Sequence, residues 1–213
     1  MAKPLQLNLQ QIVVMMNAKN LIAFLLCACT VVACNNKPAE NASTTATTYK
    51  SKNTDSFNMA FDSVMINYDS LRNAFINWDT TAADNYALLL QNALISVPYI
   101  QLPDEDAATK ATSIAQNAAD GLQALINIDS INNKRRFFYT VSEEVYHLIK
   151  TTGYDKEVIY HKKCPMAFNG DQQGWWLSET RKIDNPYFGK YHPKYKSAML
   201  DCGTVEDSIN NRQ

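Results

Sequence analysis

The chain has 213 residues, 46% of them apolar and 19% charged, with a formal net charge of −1; this is the composition of a globular protein built around one principal domain. Residues 1–33 carry only Lys3 and Lys19 as charged groups, so the remainder stands at −3. That sign excludes nucleic acid as a partner, because neutralising phosphates requires a basic face.

The first 33 residues have the pattern of an export signal. Met16 to Asn20, with Lys19, resembles a short basic leader; Leu21 to Cys29 is apolar, and Val31, Val32, Ala33 and Cys34 resemble a lipobox. Residues 1–33 are therefore predicted to be a signal peptide and Cys34 the lipidated residue, with residues 1–15 a non-native extension if translation starts at Met15 or Met16. The apolar run is too short to cross a hydrocarbon core of ~30 Å comfortably. The expectation is a protein of the cell envelope, held by its lipid on the periplasmic side of a bacterial membrane. Cys27 and Cys29 then leave with the signal and Cys34 carries lipid, so Cys164 and Cys202 remain as an even pair.

Residues 34–54 hold Asn, Ser, Thr, Ala and Lys, with no large apolar side chain before Tyr49. Such a segment buries too little to offset ordering entropy and reads as a disordered tether. The domain proper spans residues 55–213.

A first helix is predicted from Ser56 to about Asn77, with Phe57, Phe61, Val64, Met65, Tyr68, Leu71 and Phe75 at helical spacing behind an Asp55/Ser56 cap. A second starts at Thr80 or Thr81 and ends before Pro98, burying Ala83, Ala87, Leu90, Leu94 and Val97. The third follows Pro103 with Asp104 as its cap and buries Ala107, Ala111, Ile114, Ala118, Leu122 and Leu125, ending near Ile128. The fourth runs from Ser130 to Thr152 through Phe138, Val141, Val145 and Leu148, with Gly153 placed for a left-handed stop. Arg135 and Arg136 in it read as solvated charge, and His147 as a partly buried or surface residue, not a ligand. Short connections make this a mainly α fold, an up-down four-helix bundle.

After Gly153 the period changes. Val158 to Tyr160 and Trp175 to Leu177 are β-branched or aromatic between glycines and polar turns, which predicts short strands in a small irregular or β appendage, residues 154–213. Trp175 and Trp176 face opposite ways in a strand, one toward the helices and one over the sulfur residues or solvent.

This appendage carries a Cys/Met motif: Cys164 two positions from Met166, and Met199 three before Cys202. Four soft sulfur donors suit Cu(I) or Ag(I) better than Mg²⁺ or Ca²⁺. His161 falls on the opposite side of an extended strand and enters only as an outer ligand; His192 lies in a Lys/Tyr-rich surface excursion, outside the site. The competing reading is a Cys164–Cys202 disulfide, which closes a loop worth about 4 kcal/mol by chain entropy. The spacing leaves both open. Zinc is disfavoured with one thiol per arm, and no Ser/His/Asp or Cys/His order points to an enzyme.

The run Cys164, Pro165, Met166, Ala167, then Trp176, Leu177, Ser178, then Asn185, Pro186, Tyr187, Phe188, Gly189, and finally Met199, Leu200, Cys202, Gly203 resembles the family called domain of unknown function 3347. Tyr68, Leu71, Ala74, Asp79 and Ala83 resemble its first helical repeat, giving a resemblance over about residues 57 to 210. It implies a bundle with a C-terminal sulfur motif at Cys164, Met166, Met199 and Cys202, in periplasmic lipoproteins and in appendages of copper and silver efflux adaptor subunits. The expected function is soft-metal binding for buffering or handover to an efflux adaptor; the alternative is a disulfide-fastened, non-catalytic interaction protein without metal. Lys190 to Ala198 departs from the family pattern as an insertion before the second sulfur arm.

Overall fold

A computed structural model describes residues 49–168 and 171–212; the expected signal peptide, the expected lipidation at Cys34 and most of the expected tether lie outside the described residues. Four helices are followed by a small antiparallel sheet, a mainly α architecture: α1 (Asp55–Ile76), α2 (Thr80–Ser96), α3 (Glu105–Ile126), α4 (Ile131–Thr152), β1 (Ile159–Phe168), β2 (Gln172–Ser178) and β3 (Thr204–Ile209).

Each of the first three helices starts where a side-chain oxygen satisfies a free backbone donor. Thr54 caps α1 through the Phe57 N–H, Asp79 caps α2 through Ala82, and Asp104 caps α3 through Asp106 and Ala107. The first cap is thus Thr54, one residue before the expected Asp55/Ser56. The helix at Ile131 begins after Ser130 without such a bond. It ends at Gly153 in the left-handed conformation, φ 62°, which costs glycine little because it lacks a Cβ.

Consecutive helices pack on one another, α1 on α2, α2 on α3 and α3 on α4. The predicted stripes of α1, α2 and α4 are all buried. In α3 Ala108 takes the buried place expected of Ala107, so the seam sits slightly rotated from the predicted one. Met65 lies in the core while Met59 is exposed, and His147 is exposed.

Arg135 is only 2% exposed, against the expectation of solvated charge. Its Nε donates to the Pro186 carbonyl at 2.9 Å, an Nη donates to the Phe75 carbonyl at 2.9 Å, and the guanidinium lies 4.0 Å from the Trp78 ring centroid. The side chain therefore fastens the C-terminal end of α1 and the segment after β2 to α4. Its neighbour Arg136 is exposed.

The sheet has the order β2-β1-β3 with both pairings antiparallel. β1 is longer than predicted and runs on through Cys164 and Pro165 to Phe168. Pro165 is accommodated where the β1–β2 register is irregular, between Cys164 and Phe168, as expected for a residue without a backbone donor. Tyr68 joins the two layers: its hydroxyl accepts from the Leu177 N–H at 3.0 Å and pairs with Ser142 at 2.7 Å.

Candidate functional site

β1 places its side chains alternately on two faces. Ile159, His161 and Lys163 share one, and Lys162 and Cys164 the other. On the first, His161 is buried, stacked between Tyr146 at 4.1 Å and Trp175 at 4.4 Å, and its Nε2 is 2.8 Å from Glu143 Oε1. Strand alternation thus directs His161 to α4, away from the thiols. Trp175 lies on its face, while Trp176, fully buried, lies on the face of Cys164.

The second face is covered by the return segment from Ile183 to Gly203. Asn185 opens it with an Asx turn: Oδ1 accepts from the Tyr187 and Phe188 N–H groups at 2.8 and 3.3 Å. Its amide donates to the Cys202 carbonyl at 2.6 Å, and its own N–H donates to the Leu200 carbonyl at 2.8 Å. Tyr187 fills the space left by Gly174, where a Cβ would fall 2.7 Å from its ring, and its hydroxyl donates to the Trp175 carbonyl. The Lys190–Ala198 excursion leaves between Gly189 and Met199 without parting these contacts.

The result is that residues 38 positions apart meet: Cys164 Sγ and Cys202 Sγ are 3.7 Å apart. Both thiols are free. Cys164 is fully buried and Cys202 partly so. Burial pushes the Cys164 thiol up to about 11, outweighing the Met166 N–H and the Asn185 amide, which favour its thiolate. Gly203 allows the approach, since a Cβ there would lie 2.7 Å from the Trp176 ring and 2.9 Å from the Lys163 carbonyl.

The two methionines differ from each other. Met199 is half-buried against the core, and its carbonyl accepts the Cys202 N–H at 3.2 Å. Met166 is 39% exposed and lines a separate cavity that it shares with Arg135 and His192. Among the described residues the thiol pair is the only sulfur-to-sulfur hydrogen bond. No group of three or more His, Cys, Asp or Glu side chains among them is placed to hold a metal.

Two thiolates bound to one ion at about 2.3 Å and a tetrahedral angle stand about 3.8 Å apart, so the thiol pair fits a thiophilic ion. Any further donor must come from a thioether or a carbonyl. Asn185 is the neighbour of the thiol pair that spacing alone does not single out, although it heads the Asn-Pro-Tyr-Phe-Gly run; its place depends on contacts at positions 200 and 202.

No curated protein and no solved structure matches the chain. The family model described as protein of unknown function (DUF3347) matches residues 64–157, from within α1 to the turn after α4. The match stops before β1, so the sulfur residues stand outside it, short of the coverage expected to residue 210. Over residues 64–157, a little under half of the chain, the protein is similar to the DUF3347 family.

Proposed function

We propose that this is a non-catalytic, lipid-anchored protein of the bacterial cell envelope, an up-down four-helix body whose appendage binds Cu(I) or Ag(I) for buffering or handover to an efflux adaptor. The observation that carries the reading is the 3.7 Å separation of the Cys164 and Cys202 sulfurs. Soft thiolates select soft ions. Each thiol gives up its proton to solvent as its sulfur takes the metal, which couples affinity to pH. Met199, on the Cys202 turn, is the thioether nearest in sequence to that arm; Met166 would need to leave its cavity to join. The raised pKa of Cys164 makes this a site for ions that bind thiolate strongly, with Asn185 holding the sulfur in place.

A second reading is favoured by the same burial, which leaves Cys164 inaccessible to large partners: in an oxidising compartment the two thiols join as a disulfide and fasten the appendage without metal. Anaerobic titration with Cu(I) against a chromophoric competing chelator separates the readings. One Cu(I) per protein, abolished by the Cys164→Ser, Cys202→Ser double substitution, is expected. Equal weak binding by both proteins sinks the metal reading. Intact mass of protein taken from the envelope, lower by about two daltons and restored by reductant, identifies the disulfide.

A further inference from the structure

Outside the thiol pair, the N-terminal end of α4 opens onto a cavity of about 460 Å³, within the size range of small-molecule sites. Its polar lining includes Asn132, Asn133, Arg135, Arg136 and His192, and its apolar wall Phe168 and Phe188; among the described residues no Asp or Glu lines it. In a chain of net charge −1 that local balance is distinctly cationic.

The two arginines have no carboxylate within ion-pair distance among the described residues. Arg135 makes its hydrogen bonds to neutral oxygens, the carbonyls of Pro186 and Phe75 and, at 3.4 Å, the Asn132 side chain. A guanidinium carries five N–H donors, so these three bonds do not exhaust it. Burial pushes its pKa down to about 9, the cost of a cation held without a counterion. Arg136 lies with its guanidinium 4.7 Å from the Phe168 ring centroid and donates to Gln172 Oε1 at 3.0 Å.

Two further features have the same sign. Ser130 gives α4 no side-chain cap, so first-turn N–H groups remain at the positive end of the helix beside Asn132 and Asn133. His192 Nδ1 accepts the Lys194 and Tyr195 N–H groups at 3.1 and 3.2 Å, so the neutral ring carries its proton on Nε2 and offers a donor. Burial and the nearby Arg135, Lys194 and Lys196 lower its pKa, which favours that neutral form.

We propose that this cavity binds a small organic carboxylate with a flat apolar body, the carboxylate held by Arg136 and the spare Arg135 donors and the body laid against Phe168 and Phe188. A guanidinium pairs with a carboxylate through parallel N–H bonds, and an aromatic wall rewards an apolar body over a fully hydrated inorganic anion. The site is independent of the thiol pair.

Calorimetry on the full chain, with benzoate and phenylacetate as probes, benzamide as the neutral isostere of benzoate and inorganic phosphate as the small anion, tests it. The carboxylates are expected to bind at least about tenfold more tightly than benzamide or phosphate. Arg136→Gln, at an exposed position that leaves the fold intact, is expected to weaken them by about tenfold or more. Asn133→Asp, which puts a negative charge at the same mouth, should weaken them as well, while Cys164→Ser, Cys202→Ser should not. The proposal is overturned if neither carboxylate binds, if benzamide or phosphate binds as well as benzoate, or if Arg136→Gln and Asn133→Asp leave affinity unchanged.

Discussion

The Asn185 side-chain amide donates to the Cys202 carbonyl at 2.6 Å, which ties the start of the return segment to its end and fixes the second sulfur arm over β1. Asn185 is fully buried, and its Oδ1 serves two backbone N–H groups. Asn185→Ala strands these partners without solvent, and a buried unsatisfied group costs about 1–3 kcal/mol. The expected outcome is a loss of about 2–4 kcal/mol in urea unfolding, together with faster alkylation of Cys202 in the native state. An unchanged unfolding midpoint would show that the turn is held by other contacts.

Thiolate is the reactive form of cysteine, and burial holds Cys164 protonated to a higher pH than an ordinary thiol. In native protein under reducing conditions, iodoacetamide should modify the partly exposed Cys202 before Cys164, as read by peptide mass mapping. Equal rates would mean that the return segment opens faster than the reagent reacts.

Cys164 and Lys162 impose opposite pH dependences. A thiol raised to about 11 on folding contributes stability that is present below its unfolded value, about 8.5, and lost as pH rises toward 11. Lys162, with its Nζ donating to the Lys182 carbonyl at 2.5 Å and no carboxylate at ion-pair distance among the described residues, is lowered to about 8 chiefly by burial. The unfolded lysine, near 10.4, then holds more protons than the folded one between about pH 8 and 10.4, so this group makes stability rise with pH. Lys162→Met should therefore leave a protein whose urea midpoint falls more steeply above pH 8 than the wild type's, and Cys164→Ala one whose midpoint falls less.

Gly203 stands at φ 150° with the Trp176 ring and the Lys163 carbonyl in the space of a side chain. Gly203→Ala must push the arm off β1. Overpacking of this kind costs about 1–3 kcal/mol, and the near-ultraviolet circular dichroism of the buried Trp176 should change with it. An unaltered tryptophan signal would contradict this account of the close approach.

Asp155 holds residues 49–52, which the sequence assigns to a disordered tether, against the domain: Ser51 donates to it at 2.6 Å, the Lys52 N–H at 2.9 Å, and Tyr49 through its hydroxyl. Burial raises the Asp155 pKa, but the Ser51, Tyr49 and Lys52 bonds outweigh it and hold the carboxyl below its ordinary value. Its contribution is present above the unfolded pKa and lost as pH falls through the folded one. Asp155→Ala should free residues 49–54, so trypsin cleaves after Lys50 and Lys52 earlier than in the wild type while the four helices stay protected.

Much of the helical part was legible in the sequence, because a buried stripe at helical spacing and a cap are local patterns. Leu71, Leu90, Leu122 and Val145 are buried as their spacing predicts, and Asp104 and Gly153 bound their helices as their chemistry predicts. Strand extent was less legible: Pro165 argues locally against a strand, yet β1 carries it at an irregular point of the ladder. Arg135 shows the limit from the other side, since no local pattern marks an arginine whose partners are carbonyls at positions 75 and 186.

Sequence by itself determined the inventory, two cysteines and two methionines in the appendage, and the alternation that turns His161 away from Cys164. Tertiary structure alone decided which sulfurs meet, bringing Cys202 to 3.7 Å from Cys164 and leaving Met166 on a cationic cavity. The physical reason is that these placements rest on contacts between residues far apart in the chain, such as Asn185 with Cys202 and Gly203 with Trp176, and such contacts leave no periodic trace in either partner's neighbourhood.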